Sequence, residues 1–597
     1  MIAVMNRCVY RRMFARVALI TLLGFLAGLA NAAAKRPNVI ILLTDDQGYG
    51  DLSCHGNPVL KTPNLDRLHD ESIRLLDFHV TPMCTPTRGQ IMTGRSCLSN
   101  GAYVVCSGRS FIREGIPTMP EIFAAAGYRT GIFGKWHLGD YYPYRPQDRG
   151  FQEVLTFSGW GVGCAQDYWN NAYQDCRFLH NGKAQFYPGY CTDVWFAEAM
   201  KWMKARAASG EPFLCYLPTN TPHGPNWVPE KYSKPYAGKV PPGVARFFGM
   251  IANIDENLAR LETMLAESGL RENTILIYMT DNGGTAGVKT FNAGMRGRKT
   301  EYYEGGHRVP FFLRWPAGSL RPAGEVPDLT QVQDLLPTLM DLCEIKGPAG
   351  FSCDGTSLAP LLRGQPQPGL KDRMLVVQYG IWEEWEGPVK WNSTVLWNKW
   401  RLVKGEELYD IAADPAQASN IAALNPDVVT SLRKHYETWW SAIEPSVREF
   451  IPIHLGSKHE DPVCLGSQDW AGYNTSNTPD IRAGVNRNGP WHVLVERAGE
   501  YEFALRRWPV EADAAITASV PAYQGALGGY AEGKALPIAK ARLRVGDFDA
   551  TKTVGAEDKA AVFTVKMPAG RTLVHTSFQD ATGKELCGAY YVYVHRK

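Results

Sequence analysis

Residues 38–45 read NVIILLTD, an apolar, β-rich run that ends in an acidic side chain. Such a run is typical of a buried parallel strand, because these strands are covered on both faces and place their polar groups at the end. The run TILIYMT at 274–280 has the same character and is followed by Asp281 and Asn282. Ligands bind outside the carboxyl ends of strands in open α/β sheets. We therefore expect a binding site where these two strands end.

Strands and helices alternate around these two runs. Predicted strands at 129–133 and 212–217 are separated by a predicted helix at 193–206, and a long amphipathic helix at 246–268 precedes the second acidic strand end. This alternation predicts an α/β fold with a large, mostly parallel sheet flanked by helices. We expect this domain to span residues 35–365.

The pattern changes near residue 366. Short strand-like runs at 374–379 and 400–403 precede a predicted helix at 428–440. They indicate a smaller antiparallel sheet with a packed helix over residues 366–450.

The last part of the chain divides into two predicted segments. Residues 451–484 are rich in Pro, Gly, Ser and Asn, so we expect linker and loops there. Residues 485–597 contain many short strand-like runs, which predict an additional β-rich, sandwich-like accessory domain.

Composition excludes several classes of protein. The chain has 597 residues, of which 45% are hydrophobic and 21% are charged, so it is neither mostly disordered nor fibrous and has room for two or more domains. Its 63 basic residues nearly balance its 60 acidic residues. No global positive field is available to hold nucleic acid, and we expect no nucleic-acid partner.

The first segment has the features of an export signal. Four arginines and no acidic residue precede the apolar run at 17–30, and a small-x-small cleavage pattern follows at 30–32. Residues 1–34 are therefore predicted to be a signal peptide, and the apolar run is short for a membrane span. We expect an exported protein, periplasmic or extracellular, with no stable membrane anchor.

Export would place the cysteines in an oxidising compartment. The chain has 13 cysteines, and Cys8 would leave with the signal peptide. Disulfides are therefore plausible among Cys164, Cys176 and Cys191, or between Cys343 and Cys353, although connectivity cannot be read from sequence.

Residues 84–95 read CTPTRGQIMTGR. A Cys followed by Arg four residues later is either a thiolate nucleophile or a structural Cys. The stretch resembles the sulfatase signature C-x-P-S-R-x-x-x-x-T-G-R, with Thr87 where serine is usual. The resemblance implies that Cys84 is oxidised to formylglycine by a modifying enzyme and that Arg88 holds the modified side chain. In that family, the hydrated aldehyde attacks sulfur and later expels sulfate by re-forming the aldehyde.

Two further segments resemble metal-binding segments of the same family. They read TDDQGYGD at 44–51 and TDNGG at 280–284. Either one alone would more often be a turn, because Asp, Asn and Gly favour turns. Hard oxygen ligands suit Ca²⁺, with Mg²⁺ as an alternative. By resemblance, the metal is bound by Asp45, Asp46, Asp281, Asn282 and the modified Cys84.

Three more segments resemble catalytic motifs of the family. They are GKWHLG at 134–139, TPHGP at 221–225 and the run from 296 to 310, RGRKTEYYEGGHRVP. A lone Lys or His on a loop is more often structural. By resemblance, the roles are sulfate contact for Lys135 and Lys299, gem-diol contact for His137, and protonation of the leaving alcohol for His223.

Taken together, the motifs resemble formylglycine-dependent, arylsulfatase-like sulfatases of the alkaline phosphatase superfamily, over roughly residues 36–445. The resemblance implies a sulfuric ester hydrolase acting on a sulfate monoester, which we hypothesise to be carried by a sulfated carbohydrate. Loops at 159–190 and 382–391 are expected to form the specificity pocket.

Two alternatives stay open. A metal-dependent phosphomonoesterase or phosphodiesterase would use Thr85 or Thr87 as its nucleophile. An unmodified glycan-binding protein would use the aromatic-rich accessory domain and catalyse no reaction.

Overall fold

The computed structural model of the chain describes residues 36–381 and 387–597. The predicted signal peptide, residues 1–34, lies outside the described residues, and so does the 382–386 part of the second predicted specificity loop. Within the described ranges, no helix combines the length and apolar character needed to cross a membrane.

A large sheet forms the centre of the first two thirds of the chain. Its ten strands are β1 (Asn38–Thr44), β2 (Ile73–His79), β3 (Arg129–Phe133), β4 (Glu153–Thr156), β5 (Gln174–His180), β6 (Lys183–Tyr190), β7 (Phe213–Pro218), β8 (Thr274–Thr280), β9 (Phe311–Arg314) and β10 (Gly324–Gln331). Their order across the sheet is β10-β2-β9-β8-β1-β7-β3-β4-β5-β6.

Helices cover the sheet and connect its strands. The α-helices of the described chain are α1 (Pro63–Asp70), α2 (Cys84–Thr93), α3 (Cys97–Asn100), α4 (Met119–Ala125), α5 (Cys191–Ser209), α6 (Glu230–Ser233), α7 (Pro242–Glu267), α8 (Glu304–His307), α9 (Leu335–Leu342), α10 (Ala359–Leu362), α11 (Pro426–Val447) and α12 (Thr478–Ala483).

Strand β1 shows why this sequence forms a two-faced layer. It lies between β7 and β8, runs parallel to both, and is buried along its whole length. Ile40 and Leu42 pack in the core that contains Leu258 of α7, whereas Ile41 packs in the core that contains Ile91 of α2. Successive side chains point to opposite faces, so an all-apolar strand requires cover on both. The predicted α/β fold is confirmed.

The sheet is parallel at its centre but mixed at its margins. Strand β9 runs antiparallel to both β2 and β8, and β5 and β6 form an antiparallel edge. The β5–β6 hairpin turns at Asn181 and Gly182, whose φ angles are 48° and 80°. Positive φ at both central residues matches the right-handed twist of the strands, and Asn-Gly adopts it readily.

A smaller sheet follows the large one, as the sequence predicts. Its four antiparallel strands are β11 (Met374–Gln378), β12 (Ser393–Trp397), β13 (Trp400–Val403) and β14 (Glu407–Asp410). Helix α11 packs against it through Leu432 and Tyr436, which share a core with Val395 and Leu402.

The remaining chain forms two largely antiparallel sheets. The first contains β15 (Ile453–Leu455), β17 (Trp491–Val495), β21 (Lys540–Val545), β22 (Phe548–Thr553), β24 (Gly570–Gln579) and β25 (Glu585–Cys587), and the second contains β16 (Val463–Gly466), β18 (Gly499–Arg506), β23 (Ala561–Met567) and β26 (Tyr591–Arg596). A short ribbon consists of β19 (Tyr523–Gln524) and β20 (Gly529–Tyr530).

The segment 451–484, predicted as linker and loops, is structured. It supplies β15, which pairs with β17, and β16, which pairs with β26. It also supplies Trp470, which is fully buried beside Trp491 and Tyr590. These strands have only three and four residues, so they are too short to show a periodic pattern. Because turn-forming residues surround them, the composition of the segment indicates loops. The boundaries at 365, 450 and 484 stay predictions.

All twelve cysteines within the described ranges are free. The disulfides considered from sequence are therefore absent from the structure, namely those among Cys164, Cys176 and Cys191 and between Cys343 and Cys353. The thiol of Cys353 instead lies 3.5 Å from the carbonyl oxygen of Gly355.

Candidate active site

The residues predicted from the motifs meet at the carboxyl ends of the central strands. The predicted set consists of Asp45, Asp46, Cys84, Arg88, Lys135, His137, His223, Asp281, Asn282 and Lys299. Parallel neighbouring strands bring their carboxyl ends to one edge, so segments distant in sequence become neighbours there. The structure therefore brings the predicted residues together at these strand ends.

Cys84 is the first residue of α2, and all ten residues of this helix are buried. Burial raises the pKa of the Cys84 thiol, although Lys135 and Lys299 oppose this. Thr87 accepts a hydrogen bond from the Thr81 backbone N–H and donates one to the Thr81 carbonyl, at 3.1 and 2.9 Å. The Thr87 hydroxyl thus fixes the loop that leads into Cys84, a task that serine could also perform.

Arg88 ties α2 to two strand ends. Its Nε and Nη2 donate to Asp281 Oδ2 at 3.1 and 2.8 Å, and its Nη1 donates to the Lys135 carbonyl at 2.9 Å. The arginine side chain is fully buried. Arg88 therefore orients a carboxylate and the backbone of the next loop.

Two lysines neutralise two buried carboxylates. Lys135 Nζ lies 2.6 Å from Asp45 Oδ2, and Lys299 Nζ lies 2.5 Å from Asp46 Oδ1. Burial opposes ionisation of Asp45, but Lys135 and neighbouring basic side chains hold its pKa well below its usual range. Although burial disfavours the ammonium of Lys299, Asp46 raises its pKa. Lys299 therefore carries positive charge at neutral pH.

The GKWHLG turn is shaped by its first glycine. Gly134 has φ +127°, and a Cβ there would lie 2.0 Å from the Pro218 carbonyl oxygen. Only glycine lets the two strand ends approach this closely. The turn then directs Lys135 and His137 into the site, with His137 at the uncommon φ of 59°.

The two histidines each present one free ring nitrogen. His137 Nε2 is 2.9 Å from the Val105 carbonyl and His223 Nδ1 is 2.7 Å from the Gly224 carbonyl. Because a carbonyl only accepts, each of these nitrogens carries its proton. Burial lowers the pKa of both rings, that of His137 well below its usual range, and the neutral His137 ring faces Cys84 Sγ with the lone pair of Nδ1 at 3.5 Å.

The carboxyl and amide groups leave oxygen atoms without partners. Asp45 Oδ1 and Asn282 Oδ1 are buried and accept no hydrogen bond from any described residue. Burial raises the pKa of Asp281 to about 7, and the nearby negative charge of Asp45 adds to this shift, although Arg88 opposes it. Ligand atoms of Asp45, Cys84 and Asp281 lie within 4.8 Å of one another. Orphaned oxygens and crowded carboxylates of this kind fit a divalent cation.

A cleft of about 600 Å³ opens above Cys84. His137, His223 and Lys299 line it, together with Trp160 from the first predicted specificity loop. The opposite side consists of residues between Gly472 and Arg487. Sequence reasoning missed this second group, because a polar, aperiodic stretch carries no signal that it faces a site. We call this group, residues 472–487, the cleft wall, and the predicted set of strand-end residues the cleft floor.

Two family models and several known proteins match the chain. A family model described as sulfatase matches residues 37–345, and one described as N-sulphoglucosamine sulphohydrolase, C-terminal, matches residues 298–438. The chain is 31% identical over 372 residues to the N-acetylgalactosamine-6-sulfatase of Canis lupus familiaris, covering 57% of this chain and 68% of that one. It is 30% identical over 446 residues to arylsulfatase A of Homo sapiens, covering 69% and 84%.

Solved structures share the fold. The crystal structure of Ps i-CgsB in complex with k-i-k-neocarrahexaose is similar with a TM-score of 0.62 and 25% identity, covering 69% of this chain and 95% of that chain.

Proposed function

The chain belongs to the sulfatase family of the alkaline phosphatase superfamily and is a sulfuric ester hydrolase, and from this premise we propose that it removes sulfate from a sulfated carbohydrate. The proposed reaction uses a formylglycine made from Cys84 and a divalent cation. The single observation that carries the proposal is the 3.5 Å contact between Cys84 Sγ and His137 Nδ1, in a cleft that Lys299 also lines.

A divalent cation would be held by Asp45, Asp46, Asp281 and Asn282, with the side chain at position 84. The orphaned Asp45 and Asn282 oxygens are the atoms such an ion would satisfy. We propose Ca²⁺, with Mg²⁺ as an alternative, because all the protein ligands in this set are hard oxygens. When bound, the ion would stabilise negative charge on sulfate oxygens.

The side chain at position 84 is a poor nucleophile as a thiol, because burial raises its pKa and the thiolate is the reactive form. Formylglycine supplies instead a hydroxyl of its hydrated aldehyde. The lone pair on His137 Nδ1 is placed to accept the proton of such a hydroxyl. The Val105 carbonyl fixes the ring in the tautomer that this role requires.

The lysines would stabilise the charge of the sulfate, and His223 would act on the leaving group. A sulfate monoester carries one negative charge, which the side chains of Lys135 and Lys299 beside the carboxylate cluster would stabilise. His223 Nε2 lies at the cleft, 3.6 Å from Asp46 Oδ2, and although burial lowers the pKa of the ring, Asp46 opposes that shift and stabilises the protonated form. In that form, His223 donates a proton to the leaving oxygen of the sugar.

A carbohydrate substrate is supported by the relatives. One is named for a sulfated amino sugar, and a structural neighbour was solved with a neocarrahexaose. Export to the periplasm or the extracellular space, directed by residues 1–34, would bring the enzyme to such polymers. A formylglycine-generating enzyme is the partner that the reaction requires.

The experiment is a turnover assay with protein whose position 84 has been verified as formylglycine. Release of sulfate is measured for sulfated mono- and oligosaccharides, 4-nitrophenyl sulfate and matching phosphate esters. We expect sulfate release from at least one sugar. Turnover confined to phosphate esters would replace this proposal with the phosphatase alternative, and binding without any turnover would favour the glycan-binding alternative.

A further inference from the structure

The cleft wall serves no step of the proposed reaction, yet it faces the reacting groups. Its lining side chains are Tyr473, Asn474, Ser476, Asn477, Asp480 and Arg487. Neither matched family model reaches it, since they end at residues 345 and 438. The wall is therefore a feature that the family match does not explain.

The wall is held against the large sheet's loops by specific hydrogen bonds. Asn474 Nδ2 donates to Ser107 Oγ at 2.8 Å, and Trp160 Nε1 donates to the Ser476 carbonyl at 3.0 Å. Asn477 forms a β-bridge with Cys164. A backbone fixed at these points presents its side chains in a defined position before any ligand arrives.

Asp480 and Arg487 form a charge pair at the wall. Arg487 Nη1 donates to Asp480 Oδ2 at 3.2 Å and to the Asn474 carbonyl at 3.3 Å. Among the described residues, Asp480 Oδ1 and the Nε and Nη2 groups of Arg487 make no hydrogen bond. The pair is electrically balanced but still offers one acceptor and several donors to a ligand.

Aromatic side chains line the same cleft as this pair. The Trp160 ring centroid is 5.3 Å from that of His223, and Tyr473 is 78% exposed. A large aromatic side chain exposed at the rim of a cleft is typical of a binding surface. Because His223 is at the leaving oxygen in the proposed reaction, a group bonded to that oxygen would contact Trp160 first.

We propose that Trp160 and residues 472–487 form a subsite for an uncharged, hydroxyl-bearing sugar ring attached to the sulfate. Aromatic faces contact the apolar face of the ring, and the Asp480–Arg487 pair exchanges hydrogen bonds with its hydroxyls. An anionic ring is disfavoured, because Asp480 already satisfies the charge of Arg487 and would repel a second anion. This inference rests on the proposed function and specifies that the sugar ring attached to the sulfate is uncharged and carries hydroxyl groups.

The test compares two classes of substrate in Asp480→Asn and Arg487→Gln variants. The substrates are monosulfated galactose and N-acetylgalactosamine, and 4-nitrophenyl sulfate, which has no hydroxyls for the pair. We expect kcat/KM on the preferred sugar to fall about 10- to 100-fold, the loss typical of a hydrogen bond to a charged group, with turnover of the aryl ester unchanged. Asp549→Asn, which breaks an exposed Asp–Arg pair in the C-terminal sheet, is the matched control.

The outcomes separate this inference from the proposed function. Equal losses on both substrate classes, or no loss on either, would overturn the subsite and leave the proposed function standing. A wild-type enzyme that hydrolyses only the aryl ester would overturn both the subsite and the proposed carbohydrate substrate, and leave only the sulfuric ester hydrolase. A gain by Asp480→Asn on disulfated sugars would show an anionic occupant and overturn it as well. If neither class is hydrolysed by verified enzyme, the proposed function fails. Weaker binding of unsulfated galactose to the variants, measured by calorimetry, would still support the subsite, and equal binding would overturn it.

Discussion

The cleft floor and the cleft wall are built in opposite ways. In the floor, the Asp45 and Lys135 side chains are 1% and 0% exposed and meet at 2.6 Å. In the wall, Asp480 and Arg487 are 31% and 45% exposed and meet at 3.2 Å. Buried charges must be paired and held rigidly, whereas half-exposed ones can exchange partners with a ligand. The floor is suited to one reaction, and the wall is suited to selecting what the reaction acts on.

The largest expected effect comes from removing the side chain at position 84. Cys84→Ala should lower kcat/KM on every sulfate ester by about 10³-fold or more, since no nucleophile remains. Thr85→Ala should retain most activity, and Cys464→Ser, a half-buried cysteine remote from the motifs, is the matched control. Activity that survives Cys84→Ala but is lost in Thr85→Ala would show that the floor uses a hydroxyl nucleophile of the phosphatase type.

Removing the proton acceptor should have the next largest effect. His137→Gln should reduce kcat about 10²- to 10⁴-fold on sugar and aryl substrates alike, because His137 acts on the nucleophile and not on the leaving group. His180→Gln, which alters a half-exposed histidine of β5, is the control. A loss seen for only one of the two substrates would place His137 in recognition, and the division between floor and wall would fail.

Metal removal should affect stability as well as rate. Without the cation, the Asp45, Asp46 and Asp281 carboxylates lose the charge that compensates their crowding. Chelation should abolish turnover and lower Tm, and the ion at about 100 times its Kd should restore about 2.7 kcal/mol of stability. Recovery is followed by differential scanning calorimetry with Ca²⁺ and Mg²⁺ added separately. An unchanged Tm would argue against a cation in the floor.

The smallest predicted effect concerns Asp140, which follows the GKWHLG turn and contacts Gln468, four residues before the cleft wall. Burial raises the pKa of Asp140 from 3.8 to about 8, and the negative charge of Asp469 adds to this shift. The Asp140 carboxyl group accepts hydrogen bonds from the Gly159 N–H and from Gln468 Nε2. Between about pH 4 and pH 8, Asp140 therefore keeps its proton in the folded chain and loses it in the unfolded chain. The resulting stability is complete below pH 4 and is lost as pH rises to about 8.

Asp140→Asn imitates the protonated carboxyl and removes this titration. The fall in unfolding free energy between pH 5 and pH 8, up to about 1.4 kcal/mol per pH unit from this one group, should be smaller in the variant. Urea titrations at several pH values measure the slope. Parallel slopes for the two proteins would show that Asp140 is ionised in the folded state.

Sequence predicted the floor because each motif is local and several of them follow strand ends. Asp45 and Asp281 come directly after β1 and β8, and parallel pairing of those strands brings them together. The role assigned to Arg88 was less complete, because sequence could not show that its guanidinium also holds Asp281 and the Lys135 carbonyl. The family and the enzyme class predicted from these motifs are confirmed.

Sequence could not predict the wall for a physical reason. Its conformation depends on contacts with partners far along the chain, such as Trp160 with Ser476, which are 316 residues apart. A stretch without periodicity contains no local signal of such contacts. The antiparallel edge of the large sheet was missed similarly, although Asn181-Gly182 is a hairpin signal that could have been used.

The most direct test of the central claim is the mass of the tryptic peptide 75–88 from protein produced in its own host. The account predicts an aldehyde at position 84, seen as a defined loss of mass and as reaction with a hydrazide. An unmodified thiol or a disulfide at Cys84 in protein that still releases sulfate would contradict it.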